Sequence, residues 1–407
     1  MTLTIDSDRL LADLRTLRSF GATGTGVVRP SLSDIDMEAR RWLLGRMAEA
    51  GLDASLDGVG NVFGRSPSPG PALLIGSHSD TQPTGGWLDG ALGTIYGLEI
   101  ARSAAEQGSE FAIDAVAWID EEGTFGSCLG SRTYSGLTTE DELAAAHNAD
   151  GVSLHDAWAN AGLDGAPAAR QPDRHLGYLE AHIEQGPNLE ANGQDLGVVT
   201  AIVGSRNFAV RFTGQQNHAG TTPMALRRDA AKALMRFGVD LDDAFVDIAG
   251  PRSVWTFGVV DVHPGAPSVI PGKAEMHVQF RDPELGQLDA FESCLRSLVT
   301  DADAPGAVEV AIEPVNAHVA PADMDPGFRG HLSAAAAEHS ESGWCEMPSA
   351  AVHDAMFLAE VMPAAMLFIP SIGGISHDFA EDTGDADIVR GCQALATGAA
   401  AILAAAG

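Results

Sequence analysis

Four segments of the sequence place histidines and carboxylates directly after short apolar runs. They read SHSD at 77–80, DEE at 120–122, EAHIEQ at 180–185 and GGISHDFAE at 373–381. In open α/β sheets a ligand lies beyond the carboxyl ends of the strands, so we expect these segments to converge in space. Imidazoles and carboxylates without a thiolate suit zinc, manganese, cobalt or nickel. The pattern therefore predicts a divalent-metal site.

Five side chains could form this site: His78, Asp89, Glu122, His182 and His377. One carboxylate can be shared by two ions about 3.5–4 Å apart, and such a pair activates water and polarises a carbonyl. A lone histidine is more often a hydrogen-bonded structural residue than a ligand, and that interpretation stays open for each of the three histidines.

Two adjacent glutamates, Glu121 and Glu122, lie just beyond the apolar run Ala115–Ile119. Neighbouring side chains diverge beyond a strand end, so one glutamate could ligate a metal while the other faces the substrate as a proton carrier. A pair of glutamates is also typical of a solvated surface, which is the competing interpretation.

Two further features lie outside these segments. HAGTTPM at 218–224 places a histidine before a turn and a helix start, where Thr221 or Thr222 could serve simply as a helix cap. Arg281 closes a predicted strand, and it either pairs with a surface acid or holds a substrate carboxylate with its forked guanidinium.

The composition argues against several classes of function. A formal net charge of -32 argues against nucleic-acid binding, which depends on Lys and Arg. Four widely spaced cysteines with no C-x-x-C pair argue against a disulfide framework and a thiolate zinc site. The N-terminus lacks a signal-peptide pattern, and we find no window with the ~18 apolar residues of a membrane span. We therefore expect a cytoplasmic protein that binds no membrane.

The elements that must position these residues alternate between strands and helices, as in a sheet covered by helices. Ser33 is the predicted cap of a helix that stops at Gly51. The other predicted elements of this part are strands at 54–56, 61–64, 72–75, 111–119, 178–183 and 365–369, and helical patterns at 92–101, 138–169, 354–361 and from 388 onward.

Around Val203 the pattern changes. Predicted elements follow in the order βαββαβ, at 207–212, 228–245, 254–262, 274–280, 285–299 and 308–312. This order predicts a small split-βαβ sandwich inserted into the first domain. At 407 residues two domains are expected, and we place them at 1–204 with 325–407 and at 205–324.

The assembled motifs resemble those of the N-carbamoyl-L-amino-acid hydrolase / allantoate amidohydrolase family, within the dinuclear metal aminoacylase and carboxypeptidase superfamily. The resemblance spans nearly the whole chain: SFGATGTGVVRPSLSDID at 19–36, GSHSDTQPTGGWLDGALG at 76–93, DEEG at 120–123, LGSR at 129–132, HIEQGPNLE at 182–190, NHAGTTPMALRRDA at 217–230, VIPG at 269–272 and IPSIGGISHDFAEDT at 369–383. It implies an α/β metal-hydrolase domain with a central mixed sheet flanked by helices. It also implies that the inserted α+β domain is a lid through which two copies form a homodimer.

The resemblance also implies roles for individual residues. The implied metal ligands are His78, Asp89, Glu122, His182 and His377, with Asp89 bridging two divalent ions, Zn²⁺ or Mn²⁺ first and Co²⁺ or Ni²⁺ as further candidates. Glu121 matches the general base, and Asp80 matches the carboxylate that orients His78. His218 matches a lid histidine that reaches across the homodimer to the partner's substrate and stabilises its oxyanion. Gln185 and Arg281 match substrate-binding positions, Arg281 at the substrate carboxylate.

Three departures from the family pattern bear on the substrate. Ser268 stands where the family commonly has Asn, and it lacks the two donors of the amide. TFGSC at 124–128 replaces an Arg-Phe and a longer loop, and SAAVHDA at 349–355 replaces a glycine-richer version around His353. We therefore include Ser268 and His353 among the candidate substrate contacts.

The leading hypothesis is metal-dependent hydrolysis of a linear C–N amide bond, most simply the ureido group of an N-carbamoyl-L-amino acid. An allantoate-type ureide and an N-acyl amino acid or dipeptide are alternative substrates. A metal-retaining binding protein is the alternative outside enzymes. Glu121 beside all five ligands argues against that alternative, because binding alone needs no proton carrier.

Overall fold

The computed structural model describes residues 3–109, 112–303, 308–316 and 318–406. The chain divides into two compact units. The first unit comprises the chain up to Ala201 and again from Asp323 onward, and the second comprises Ile202–Ala322.

The helices and strands are numbered in chain order. The helices are α1 Ser7–Ser19, α2 Asp34–Glu49, α3 Ala91–Glu106, α4 Leu129–Ser135, α5 Glu140–Ala145, α6 Leu154–Ala161, α7 Asn188–Asn192, α8 Ala230–Ile248, α9 Leu285–Ala302, α10 Pro326–His339, α11 Asp354–Leu358 and α12 Asp385–Ala406, with 3₁₀ turns at Met224–Leu226 and Ile372–Gly374. The strands are β1 Ala22–Thr23, β2 Gly26–Val27, β3 Asp53–Leu56, β4 Val62–Arg65, β5 Ala72–His78, β6 Ala112–Trp118, β7 His175–Ile183, β8 Leu196–Ile202, β9 Gly204–Thr213, β10 Asn217–His218, β11 Val254–His263, β12 Val269–Ile270, β13 Lys273–Asp282, β14 Glu309–Pro314, β15 Ala322–Asp323, β16 Trp344–Ser349 and β17 Ala364–Ile369.

A mixed sheet forms the centre of the first unit. Its strands run in the order β15-β8-β17-β7-β5-β6-β4-β3, and β16 pairs with β8. The four central strands β17, β7, β5 and β6 are parallel, whereas β8, β4 and β3 pair antiparallel to their neighbours. Strands β5, β6 and β17 are buried at every residue because helices cover both faces of a parallel sheet. The predicted central mixed sheet flanked by helices is confirmed.

The region 138–169 differs from the single helical pattern that the sequence suggested. It forms two short helices, α5 and α6, separated by a turn. In that turn the side chain of Asn148 accepts hydrogen bonds from the backbone N–H of Asp150 and Val152, and Gly151 has a φ of 79°. An asparagine that bonds its own backbone offers an alternative to helix hydrogen bonds, so the helix stops there.

The second unit contains β9, α8, β11, β13, α9 and β14, the predicted βαββαβ order. Its four-stranded sheet has the antiparallel order β11-β13-β9-β14. Apolar residues of α8 and α9 pack against this sheet around an aromatic cluster, in which the rings of Phe245 and Phe291 lie 4.6 Å apart. This packing gives the second unit a hydrophobic core of its own.

The last helix, α12, is long and apolar enough to cross a membrane by length and composition. However, 61% of its most apolar 18-residue window is buried inside the protein, where the helix packs against α10 and β17. α12 contains Arg390, Gln393 and Thr397, so it does not reach the ~18 apolar residues that the sequence analysis looked for, and its high apolar content is explained by its place in the core. The cytoplasmic location stays a prediction from the sequence.

Candidate metal centre

The predicted ligands lie at one edge of the central sheet. His78 ends β5, His182 lies near the end of β7, Glu121 and Glu122 follow β6, and His377 follows β17. These four strands are parallel, so their carboxyl ends meet at the same edge. The four polar segments therefore converge at this edge.

The first group of ligand atoms comes from His78, Asp89 and His182, all buried. Nε2 of His182 lies 3.1 Å from Oδ1 of Asp89, and Nε2 of His78 lies 3.4 Å from the same oxygen. Two ligand atoms that share one tetrahedral zinc ion, each roughly 2.0–2.1 Å from it, lie about 3.3–3.4 Å apart. The spacing of these atoms therefore fits a shared ion.

The second group comes from Asp89, Glu122 and His377. Nε2 of His377 lies 3.3 Å from Oδ2 of Asp89 and 3.6 Å from Oε2 of Glu122. Asp89 thus belongs to both groups and presents a different carboxylate oxygen to each. The donors are all nitrogen and oxygen, the chemistry expected for zinc or manganese.

Hydrogen bonds on the far side of two rings orient their Nε2 atoms. Nδ1 of His182 donates to the carbonyl oxygen of Ile183 at 2.9 Å. Nδ1 of His78 lies 3.2 Å from the carbonyl oxygen of Asp80 and 3.6 Å from its carboxylate. A proton on Nδ1 puts the lone pair on Nε2, the atom that can bind a metal. At His182 this lone pair accepts a hydrogen bond from the backbone N–H of Gly90 at 3.1 Å.

The Asp80 carboxylate also connects His78 to the glutamate pair. It accepts hydrogen bonds from the backbone N–H of Glu121 at 3.4 Å and of Glu122 at 3.2 Å. Asp80 itself is fully buried. Asp80, the predicted orienting carboxylate, therefore contacts both His78 and the loop that carries Glu121 and Glu122.

Glu121 lies beside the first group but belongs to neither group of ligand atoms found in the described part of the chain. Its Oε2 is 3.6 Å from Nε2 of His78, and Sγ of Cys128 is 3.8 Å from Oε1. Burial raises the pKa of Glu121 well above its usual range, although the nearby His78 acts in the opposite direction. A carboxyl group placed in this way can hold and transfer a proton.

Four non-glycine residues around the site have positive φ angles: Asp120 (57°), Cys128 (54°), Gln185 (56°) and His377 (54°). Such conformations cost energy and cluster where the surrounding structure enforces a functional geometry. At Asp120 the enforcement is visible, because its carboxylate accepts hydrogen bonds from the backbone N–H of Thr124, Phe125 and Gly126. This network fixes the loop that carries Glu121 and Glu122.

Gly90 is required for the approach of the Asp89 loop to His78. Its φ is 61°, and a Cβ at this position would lie 2.3 Å from Nε2 of His78. Only glycine meets both conditions without strain.

Two residues that bind candidate ligands were absent from the predicted site. Both Nε2 and the backbone N–H of Gln82 donate to the carboxylate of Glu122, at 2.7 and 3.2 Å. Glu381 accepts from the backbone N–H of Leu88 and of Asp89, at 3.1 and 3.0 Å. Burial and the neighbouring Asp89 raise the pKa of Glu381 to about 7. Both lie in segments that the sequence analysis singled out, but their partners depend on how the loops meet.

The predicted substrate contact Gln185 lies at the second group. Its Nε2 donates to Oδ2 of Asp89 at 3.0 Å and lies 3.4 Å from Nε2 of His377. Its Oε1 is buried and has no hydrogen-bond partner among the described residues. An unsatisfied acceptor at this place suits a ligand that carries an N–H donor.

His353, another predicted substrate contact, is buried behind His182. The two ring centroids are 4.6 Å apart, and Nε2 of His353 lies 2.8 Å from Oγ of Ser349. Burial and the neighbouring His182 lower the pKa of His353 well below its usual range. A role of His353 at the substrate stays a prediction.

The remaining predicted residues, His218, Ser268 and Arg281, belong to the second unit. His218 pairs with Val269 between β10 and β12, and the N–H of Ala219 donates to the carbonyl oxygen of Ser268 at 2.9 Å. His218 and Ser268 are therefore neighbours. Arg281 lies near the end of β13, where its Nε donates to Oε1 of Gln279 at 3.2 Å.

Known proteins resemble the chain over nearly its whole length. The family model described as peptidase family M20/M25/M40 matches residues 74–400. The N-carbamoyl-L-amino-acid amidohydrolase of Paenarthrobacter aurescens is 34% identical over 405 residues, covering 95% of this chain and 96% of that protein. The allantoate amidohydrolase of Escherichia coli (strain K12) is 34% identical over 394 residues, covering 93% and 94%.

A solved structure agrees with these relatives. The crystal structure of an amidase of the hydantoinase/carbamoylase family from Burkholderia phymatum is similar with a TM-score of 0.94 and 53% identity, covering 100% of this chain and 99% of that one. Together the relatives establish the protein as an enzyme rather than a binding protein. The chain is a hydrolase that acts on C–N bonds other than peptide bonds, and it belongs to the peptidase family M20/M25/M40.

Proposed function

We propose that the protein is a metal-dependent amidohydrolase that cleaves the ureido group of an N-carbamoyl-L-amino acid and releases the amino acid, carbon dioxide and ammonia. The observation that carries this proposal is the sharing of Asp89 by two groups of ligand atoms, with the buried carboxyl of Glu121 beside them but outside both. A site of this composition combines a place for cations with a separate proton carrier.

Each ligand group would hold one divalent ion, with Zn²⁺ or Mn²⁺ preferred and Co²⁺ or Ni²⁺ as further candidates. His78, Asp89 and His182 would hold the first, and Asp89, Glu122 and His377 the second. Bound ions of this kind supply Lewis-acid activation of a carbonyl and of water.

The protein's own residues carry the proton transfers. Glu121 takes the proton of the attacking water and delivers it to the nitrogen of the leaving amine, a role that contributes typically about 10²–10⁴ in rate. Asp80 fixes the position of His78 relative to the loop that carries Glu121 and Glu122. Its carbonyl oxygen contacts Nδ1 of His78, and its carboxylate accepts hydrogen bonds from the two backbone N–H groups of that loop. The unsatisfied Oε1 of Gln185 supports a ureido substrate, because the terminal NH₂ of that group is a donor that an acyl group lacks.

We infer that His218 and Arg281 act on one substrate as parts of two different copies of the chain. β13 is paired along its whole length with β9, and Arg281 lies eight residues beyond Lys273, about 26 Å along an extended strand. His218 pairs with Val269, on the Lys273 side of this strand. A substrate of amino-acid size cannot span that distance. In a homodimer formed through the second unit, Arg281 of one copy can bind the substrate carboxylate while His218 of the other copy contacts the same substrate.

The surface of the second unit supports this dimer. On α8 three large apolar side chains at one face are exposed, Met235 by 65%, Val239 by 61% and Val246 by 60%. β11 is an edge strand of its sheet and exposes Val254 and Val260. Exposed apolar helix faces and bare sheet edges are typical of interaction surfaces. In sedimentation we expect a species of twice the 42.3-kDa chain, and an active monomer would contradict the dimer.

A substrate panel tests the proposed activity. N-carbamoyl-L-amino acids, allantoate and N-acetyl-L-amino acids are each incubated with enzyme loaded with Mn²⁺, Zn²⁺, Co²⁺ or Ni²⁺, and both ammonia and free amine are measured. We expect ammonia and amino acid in equal amounts from N-carbamoyl substrates. Ammonia from allantoate alone would replace the proposed substrate, and free amine from N-acetyl substrates alone would point to an acylase. No product from a metal-loaded enzyme would overturn the proposal.

A further inference from the structure

The turn that carries His218 holds the imidazole in one tautomer. The backbone N–H groups of Gly220 and Thr221 both donate to Nδ1 of His218, at 3.0 and 3.2 Å. A backbone N–H can only donate, so Nδ1 must present its lone pair, and a neutral ring carries its proton on Nε2. Because the His218 side chain is exposed, its Nε2–H is available as a hydrogen-bond donor.

Arg227 stabilises this turn through hydrogen bonds to two of its carbonyl oxygens. Nε of Arg227 donates to the carbonyl oxygen of Thr222 at 3.0 Å, and its Nη2 donates to the carbonyl oxygen of Ala219. The hydroxyl of Thr222 in turn donates to the carbonyl oxygen of His218 at 2.8 Å. Arg227 thus holds both sides of the peptide segment whose N–H groups bind Nδ1.

The two hydrogen bonds from Arg227 require the shape of an arginine side chain. A guanidinium presents donors in a rigid fork and can satisfy two separated carbonyl oxygens at once, whereas the ammonium of lysine is a compact point charge on a flexible stem. Arg227 is partly buried, so its two hydrogen bonds are partly shielded from water. Without them the Ala219 and Thr222 carbonyls lose their common partner.

We propose that Arg227 is a positioning residue that fixes His218 in the Nε2–H tautomer, so that the histidine donates a hydrogen bond to the substrate's developing oxyanion. The contact between His218 and substrate rests on the proposed function, whereas the link between Arg227 and the tautomer does not. The arrangement predicts that a neutral His218 is competent, because the donor is present without a second proton.

The experiment compares Arg227→Ala and Arg227→Lys with a matched control, Arg236→Ala, which removes an exposed arginine from α8. Long-range ¹H–¹⁵N NMR of ¹⁵N-histidine-labelled protein distinguishes protonated from bare ring nitrogens, and the spectrum of His218→Gln assigns the His218 signal. We expect a single Nε2–H pattern in the wild type and in Arg236→Ala. Arg227→Ala should give an average of both tautomers, with Arg227→Lys intermediate.

Kinetics provide the second readout. Loss of an oxyanion donor costs about 10²–10³ in kcat, the drop expected for His218→Ala. A misplaced donor costs up to about 10²-fold, the drop expected for Arg227→Ala, with KM changed less than kcat. Melting temperatures of all variants separate this effect from general unfolding.

A second variant reaches the same turn without removing the arginine. A Cβ at Gly220 would lie 3.1 Å from Cε1 of His218, so Gly220→Ala should displace the ring and also mix the tautomers. This variant decides the question if Arg227→Ala does not fold. An unchanged Nε2–H pattern in folded Arg227→Ala overturns the proposal. A mixed tautomer with unchanged kcat overturns the positioning role. Unchanged kcat in His218→Ala overturns the assignment of His218 to the substrate, while the metal centre would stand.

Discussion

Replacing Asp89 with asparagine should reduce the number of bound divalent ions from two per chain to one. In the structure Oδ1 of Asp89 faces His78 and His182, at 3.4 and 3.1 Å, and Oδ2 faces His377 at 3.3 Å. Asparagine has the same shape but keeps only one oxygen, and its NH₂ group cannot ligate a cation.

The surroundings determine which group loses its oxygen. Oδ2 of Asp89 accepts a hydrogen bond from Nε2 of Gln185 at 3.0 Å, so the amide oxygen of the variant should occupy that side. The NH₂ group then faces Nε2 of His78, which can accept one of its hydrogens, and Nε2 of His182, which already accepts from the backbone N–H of Gly90 at 3.1 Å. The first ion should therefore be lost, and its affinity should fall by more than the roughly 10–100-fold that loss of an outer-shell partner costs.

Metal analysis tests this prediction directly. The wild type and Asp89→Asn are stripped with a chelator, dialysed against Mn²⁺ or Zn²⁺, desalted and analysed by mass spectrometry for metal per chain. Asp378→Asn is the matched control, because it makes the same change at an exposed position next to His377. We expect two ions in the wild type and control and one in Asp89→Asn, with similar melting temperatures without metal. Two ions bound with wild-type affinity in Asp89→Asn would refute the shared-carboxylate reasoning.

Three other changes test separate parts of the site and its support. Glu121→Gln should leave metal content unchanged while kcat, measured by ammonia release, falls by about 10²–10⁴, and undiminished turnover would contradict the proton-carrier role. Gln82→Leu removes the side-chain donor to Glu122 and should weaken binding of the second ion by about 10–100-fold in a metal titration, so an unchanged titration would show that Gln82 does not hold this ligand. Asp114→Asn should lower the free energy of unfolding at pH 7 by about 2 kcal/mol in denaturant titrations, because it weakens charge-assisted hydrogen bonds between the buried Asp114 and the partly buried Arg174. Burial raises the pKa of Asp114, but hydrogen bonds, chiefly from Arg174, outweigh it and lower this pKa below its ordinary value of 3.8. The stabilisation that Asp114 contributes is therefore present above pH 3.8 and is lost as the pH falls through the folded-state pKa. The difference between the wild type and Asp114→Asn should therefore shrink in acid, and a constant difference would contradict the assignment.

The convergence of the candidate ligands could be predicted because its signals are local. Each histidine or carboxylate segment follows a run of apolar residues, and strands of that kind belong to a buried parallel sheet. Parallel strands then bring their ends together irrespective of the loops between them. The resemblance to a known family added the roles of individual residues, such as Asp80 beside His78, and the distances of the structure are compatible with those roles.

The supporting residues could not be predicted in the same way. Glu381 binds the backbone of Asp89 across 292 residues of sequence, and nothing in either segment specifies that contact. The helix α1 is a different case, since its cap Asp6 and the spacing of Leu10, Leu14 and Leu17 are local signals that the predicted elements omit. At the site, the residues that the sequence analysis missed are held by long-range contacts that no local pattern predicts. Helix α1 was missed although its sequence carries a local helix pattern.

The hold of Glu381 on the Asp89 loop has a consequence for how the enzyme is made. On the ribosome, a nascent chain that has emerged only as far as β7 already contains His78, Asp89 and His182, but not the carboxylate that clamps their loop, nor His377. The second group of candidate ligands, and the support of the Asp89 loop that both groups share, are therefore incomplete until the segment that carries His377 and Glu381 has been made.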